Sequence, residues 1–147
     1  MEIIVYGIYS IILIIISIID LRNCMIPNSL TLSLLILGIF YRGIHLGDFQ
    51  GSMVGMGIIS IPLILIYGYI SDFIGKDVLG FGDIKLVMGI GGMYGEVILD
   101  KIFLFYSITF LLASVWGISY IKLKKCSSNI KIPLAPFIAI AGLLCLF

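Results

Sequence analysis

Two aspartates stand where a chain rich in aliphatic side chains has least reason to keep a charge. Asp20 directly follows the mostly aliphatic run Ile3–Ile19. Asp83 lies within Val78-Leu79-Gly80-Phe81-Gly82-Asp83-Ile84, with Lys85 two residues on. An ionised Asp at the centre of a membrane helix costs about 2.5–3.5 kcal/mol on insertion scales, and less near the interface. Chains keep such residues when they do something. Two carboxyl groups brought together in a low-dielectric site cannot both ionise easily, so one keeps its proton. The ionised member can take a proton from water, and the protonated member can donate to the carbonyl oxygen of a peptide bond. That is acid–base hydrolysis without a covalent intermediate, a metal or a cofactor. The competing reading is that each Asp marks the end of a span and faces lipid headgroups.

The chain offers little other chemistry. It has one histidine, His45, and neither a G-x-S-x-G nor an H-E-x-x-H motif, so serine and zinc hydrolysis lack their equipment. Cys24, Cys126 and Cys145 are widely spaced with no C-x-x-C among them, and read as small apolar fillers. His45, near a predicted span end, reads as interfacial. Asp72 and Asp77 fall in a polar loop and read as solvated.

The neighbours of the two aspartates suggest how they are held. Gly80 and Gly82 flank Phe81 and remove Cβ atoms on both sides of the turn before Asp83. That lets another backbone approach and permits positive φ, which suits an extended substrate beside an acid. Close helix packing accounts for the same glycines. Pro27–Asn28 follows Asp20 by seven residues. Proline fixes φ, and Asn28 is expected to cap a helix opening at Ser29 or Leu30. The turn would return the chain to the membrane and hold Asp20 at a defined depth, as an ordinary helical hairpin also would.

Composition sets the frame. Of 147 residues, 61% are hydrophobic and 12% charged, and the net charge is +1. A soluble domain carries about 25% charged residues. The mean hydropathy of +1.25 excludes an ordinary soluble domain, a disordered chain and a nucleic-acid binder. What remains is an all-α polytopic membrane bundle, a single domain over residues 1–147, with room for about six spans of ~20 residues. The spans are expected at Ile3–Ile19, Leu30–Leu46, Ser52–Ile70 (with Pro62 inside), a fourth from Asp83 to about Tyr94, Ile102–Ile121 and Ile132–Phe147. The fourth crosses only if it continues through Gly95–Leu99. Pro133 and Pro136 fall in the first turns of the last, where proline is tolerated. The first run has no basic leader or A-x-A site, so a removed signal peptide is not expected. The continuous apolar runs disfavour a β-barrel.

Loop charge orients the bundle. With alternating spans, Arg22, Lys76, Lys85, Lys122, Lys124, Lys125 and Lys131 fall on one side, and Arg42 and Lys101 on the other. Seven against two puts the first set in the cytoplasm. Asp20 and Asp83 come out on that side. Glu2, Asp48, Glu96 and Asp100 come out on the other.

The motifs Ile19-Asp20-Leu21-Arg22 with Ile26-Pro27-Asn28, and Gly80-Phe81-Gly82-Asp83-Ile84-Lys85-Leu86, resemble the type IV prepilin peptidases, integral membrane aspartic proteases of the Gly-x-Gly-Asp type. Their order, separation and six-span frame match. Ile132-Pro133-Leu134-Ala135-Pro136-Phe137 looks like the proline-containing start of that family's last helix. The resemblance covers essentially the whole chain. It implies that Asp20 and Asp83 are the catalytic dyad. It also implies removal of the short basic leader of prepilin-like or preflagellin-like proteins, at the junction with their hydrophobic segment, on the cytoplasmic face of the inner membrane. No cofactor is implied. The implied partners are those substrate proteins and the lipid bilayer, with a homodimer left open and nucleic acid excluded. Many bacterial members carry an N-terminal cysteine-tetrad region linked to N-methylation. This chain begins at the helix before Asp20, so peptidase activity alone is expected. The short form resembles the enzymes of tight-adherence pilus systems and the archaeal preflagellin peptidases.

Supporting roles follow for the neighbours. Lys85 would act on Asp83, bind a carbonyl, or snorkel to headgroups. Arg22 and Asn23 would orient Asp20. Lys122–Lys131 suits anionic lipid better than a basic leader, while Asp72 and Asp77 would attract the leader's lysines or stay solvated. Two rivals remain: a small transporter, with carboxylates lining a continuous path near the midplane, and a non-catalytic assembly subunit of a pilus or secretion machine.

Overall fold

The computed structural model describes residues 2–75, 79–95, 99–124 and 133–146. Among them there is no strand, and the helices form six rods. The first is α1 (Glu2–Asn23). Next comes α2 (Asn28–Gly38), prolonged by π-helical turns over Ile39–His45. Then α3 (Phe49–Leu65) continues through π-helical turns at Ile66–Ile70 and a last α-helical turn at Ser71–Ile74. The others are α4 (Phe81–Tyr94), α5 (Leu99–Lys124) and α6 (Ala135–Leu146). The chain is an all-α integral membrane protein, as its composition required. The helical stretches Glu2–Asn23, Phe49–Phe73 and Leu99–Tyr120 are each long and apolar enough to cross a bilayer. Their outer faces are apolar too: Ile3 is 87% and Phe103 76% exposed. Lipid tails solvate such surfaces as well as a protein core does.

The bundle interior follows helical spacing. On α1 the buried residues are Tyr9, Leu13, Ile16 and Asp20. Steps of four, three and four put them on one stripe. Asp20 thus continues an inward-facing row of large apolar side chains.

Helix α4 is the central rod. Asp83, Ile84, Leu86, Val87 and Gly89 through Met93 are all buried, mostly against α2 and α3. Glycines set how close these rods come. A Cβ on Gly38 would lie 3.1 Å from the backbone of Gly92, and one on Gly89 would lie 2.9 Å from Cβ of Leu34. Ser52 Oγ donates to the Gly92 carbonyl at 2.9 Å, so a polar group is satisfied inside the bundle.

The contacts fix the directions. Tyr67 packs on Phe81 at 5.8 Å between rings, while Ser52 meets Gly92, so α3 and α4 are antiparallel. Asn28 meets Lys85 and Gly38 meets Gly92, so α2 and α4 are parallel. Trp116 packs on Phe137 at 6.3 Å, near the end of α5 and the start of α6. Successive rods therefore alternate, and α2, α4 and α6 all begin at one end of the bundle. At the far end Arg42 Nε donates to Asp48 Oδ2 at 2.9 Å, and Asp48 Oδ1 accepts from the Gly51 amide as the cap of α3. Tyr94 there donates to the Gly142 carbonyl, tying α4 to α6.

Several boundaries differ from the sequence expectation. Asp20 does not end α1, which runs on to Asn23; the turn is only Cys24–Pro27, with Cys24 at φ 49°. The third rod starts earlier and ends later than Ser52–Ile70, because Asp48 caps the start of α3 and helical turns carry on past Leu65 to Ile74. The α4 helix does not continue through Gly95–Leu99: Gly95, at φ 73° and ψ −141°, stops it after Tyr94. Its 14 residues rise about 21 Å, less than ~30 Å of hydrocarbon, yet it still runs from one end of the bundle to the other. Helix α6 begins at Ala135, with Pro136 inside its first turn and Pro133 before it. Part of the Ser71–Gly82 loop (Lys76, Asp77, Val78), Glu96, and most of the Lys122–Lys131 loop (Lys125 through Lys131, with Cys126), together with Ile132, lie outside the described residues. Lys122–Lys124 close α5 as helix.

Candidate active site

The last turn of α1 and the first turns of α2, α4 and α6 meet at one end of the bundle. Two acids are buried there, Asp20 at 4% exposure and Asp83 at 9%. Asp20 lies near enough to Asp83 to act on it electrostatically. Sixty-two intervening residues, counted from the numbering, separate them in the chain.

Asp83 is held by the start of its own helix. Gly80 caps α4 with extended backbone, φ −76° and ψ 133°, and its carbonyl accepts the Asp83 amide at 3.0 Å. The Asp83 carboxylate turns back and accepts from the Gly80 amide. Both partners are thereby satisfied reciprocally, in the manner of a capping box. The space for that return is the missing side chain of Gly80: a Cβ there would lie 3.1 Å from Asp83 Oδ2. Gly82 makes room for a different neighbour. A Cβ on it would lie 3.0 Å from Cβ of Ile26, in the turn after α1. Neither glycine has positive φ; among the described glycines only Gly47, Gly75 and Gly95 do. The two are used for space and not for left-handed backbone, which corrects part of the sequence expectation.

Asp20 is held from across the chain. Its Oδ2 accepts the backbone amide of Ala135 at 3.0 Å in a fully buried contact. Ala135 is the first residue of α6. Each acid therefore takes an amide from the start of a helix, where uncompensated N–H groups and the helix dipole favour negative charge.

The other predicted residues divide. Pro27 is itself the cap of α2, at φ −65° and ψ 128°, without a side-chain capping bond. Asn28 is the first helical residue and does not cap; its Oδ1 accepts from Lys85 Nζ at 2.9 Å. The expectation for Asn28 fails because proline takes the extended cap position. Lys85 reaches Asn28 and lies over the Phe81 ring at 5.0 Å. Residues two apart on a helix do not face each other, so Lys85 leaves Asp83 and ties α4 to α2. Arg22 and Asn23 are exposed on the last turn of α1. The partner of Asp20 that sequence reasoning missed is Ala135, and its signal was the Pro133–Pro136 pair bracketing a helix start. His45 lies at the far end, 5.7 Å from the Tyr41 ring. Among the described residues no three His, Cys, Asp or Glu side chains cluster as metal ligands.

Comparison with known proteins gives one consistent result. A profile of the type IV leader peptidase family matches residues 7–121. The chain is 30% identical over 127 residues to a prepilin leader peptidase/N-methyltransferase of Stutzerimonas stutzeri, covering 86% of this chain and 43% of the relative. It is 32% identical over 136 residues to the proteins so named in Aeromonas salmonicida (strain A449) and Legionella pneumophila, covering 89% and 88% of this chain and 44% of each relative. The chain thus spans less than half the length of these relatives. No solved structure gives a significant match. With most of the chain inside the family profile and both aspartates within the matched stretch, the chain belongs to the type IV leader peptidase family.

Proposed function

We propose that this chain is a membrane aspartic endopeptidase that removes the short basic leader of prepilin-like or preflagellin-like proteins, with residues 1–147 acting as one domain. The observation that carries this reading is the burial of two acids, Asp20 from the first helix and Asp83 from the fourth, where helix ends meet at one end of the bundle. The names of the relatives support the substrate class.

In the proposed reaction the pair holds one proton. The ionised carboxylate takes a proton from a water molecule as its oxygen attacks the scissile carbonyl carbon. The protonated carboxyl gives its proton to the carbonyl oxygen. The tetrahedral diol then collapses: one of its hydroxyls gives a proton to the ionised carboxylate, the C–N bond breaks, and the nitrogen takes the proton of the other carboxyl, so the pair again holds one. The backbone ties at Gly80 and Ala135 keep both carboxyls oriented throughout. The reaction proposed is hydrolysis alone, without methylation of the new amino terminus.

The proposed site faces the cytoplasm. Among the described residues Arg22, Lys85 and Lys122 lie toward the end that holds the pair, and Arg42 and Lys101 toward the other, the asymmetry the positive-inside rule reads. A transporter needs carboxylates along a path through the midplane. Here both acids sit at helix ends.

The test is cleavage of a prepilin-like substrate in membranes. Wild type shortens it to a product without added methyl mass, and Asp20→Asn and Asp83→Asn each lower the rate by at least about 10²-fold. A folded Asn variant that cuts normally overturns the dyad assignment, and a wild-type chain that leaves the substrate uncut favours the non-catalytic assembly subunit.

A further inference from the structure

Helix α6 starts with an unusual supply of donors. A helix leaves its first amides without partners inside the helix. In α6 the second residue is Pro136, which has no amide hydrogen. The amides of Phe137 and Ile138 both go to the Leu134 carbonyl, each at 3.1 Å. In the turn Ala135–Ile138 one amide hydrogen is left uncommitted within the helix, that of Ala135, and it points at Asp20 Oδ2. Ala135 is 0% exposed, so neither water nor lipid headgroups can serve that amide. Leaving it bare in a membrane would be costly.

The bond is also the long-range tie of the pair. Asp83 is secured within four residues of chain by Gly80. Asp20 sits on the last turn of α1 with its next two neighbours exposed, and its recorded anchor is 115 positions away. Because that anchor takes Oδ2, it fixes the carboxylate plane and leaves Oδ1 for a proton, a water molecule or Asp83.

We infer that the main-chain amide of Ala135 is a positioning element of the active site, holding Asp20 in the orientation that faces Asp83. The inference rests on the peptidase reading above. The Leu134-Ala135-Pro136 stretch would thereby act through its backbone: Pro136 removes the competing donor, and the small buried Ala135 lets the helix start approach Asp20. Side-chain scanning would pass over such an element, since Ala135 has nothing to truncate.

The experiment removes that one hydrogen. Cell-free translation into vesicles, with lactic acid in place of Ala135, turns the amide into an ester and keeps the methyl group. Ala135→Gly, which keeps the amide, controls for packing. Against a prepilin-like peptide the ester chain is expected to lose about tenfold in kcat, the scale of one charge-assisted hydrogen bond, with KM within about twofold. Loss of the donor disfavours the ionised form of Asp20, so one limb of the pair's pH–rate profile moves by about one unit to higher pH. Ala135→Gly leaves both limbs in place. Ala135→Pro is the second variant, because proline is tolerated at a first helical position; it should move the same limb. A folded chain without this amide hydrogen that keeps the wild-type kcat and both limbs overturns the inference. Wild-type chain that never cleaves overturns the peptidase reading instead, so the two failures are distinct.

Discussion

Lys85 and Asn28, 57 positions apart, are joined by a 2.9 Å hydrogen bond that fastens the start of α4 to the start of α2. The bond gives Lys85 a partner other than the nearby acid. Lys85→Met keeps most of the side-chain volume and removes the donor. It should cost about 1 kcal/mol or less, since the bond is exposed, and lower cleavage by less than about tenfold. The limbs of the pH–rate profile should stay in place. A lysine serving the Asp83 carboxyl would, when removed, shift a limb to higher pH. Thermal unfolding in detergent and a pH series on this variant check both halves.

Gly80 makes a sharper test of geometry. Its backbone, at φ −76° and ψ 133°, is one that alanine adopts freely. Gly80→Ala therefore adds no backbone strain, and its Cβ, 3.1 Å from Asp83 Oδ2, must displace the carboxylate by a few tenths of an ångström. We expect kcat to fall about tenfold with KM little changed, because small misplacements of a catalytic group are costly. Unchanged kcat would mean that the Asp83 orientation seen here is not the reactive one.

The shared-proton mechanism fixes the shape of the pH dependence. At low pH both carboxyls are protonated and the base is lost. At high pH both are ionised and the acid is lost. The kcat/KM profile should be bell-shaped, with limbs that belong to the pair and not to either residue alone. A profile with a single limb between the extremes of stability would remove one of the two carboxyls from the mechanism.

Cys24 reports which way the bundle faces. It is exposed in the turn directly after α1, at the end that holds the two acids. In a chain carrying Cys126→Ser and Cys145→Ser, a membrane-impermeant maleimide should label Cys24 in inside-out vesicles and spare it in right-side-out ones. The opposite pattern would reverse the proposed orientation and leave the chemistry of the pair untouched.

The primary sequence by itself determined that this chain folds as helices in lipid, because so few charged residues cannot coat a water-facing surface. It also singled out Asp20 and Asp83, since a carboxylate embedded in aliphatic surroundings is costly wherever it lies. The order of spans and the glycines beside Asp83 were legible for the same local reasons. Tertiary structure decided what each neighbour touches. Lys85 turned to Asn28 because a two-residue step on a helix points elsewhere. Pro27 displaced Asn28 from the cap, and Gly80 and Gly82 serve as space for the Asp83 carboxylate and for Ile26. For the anchor of Asp20 the sequence offered only the prolines that bracket a helix start, because a backbone amide is present at nearly every residue. Only the meeting of the first helix with the last selects which one is used.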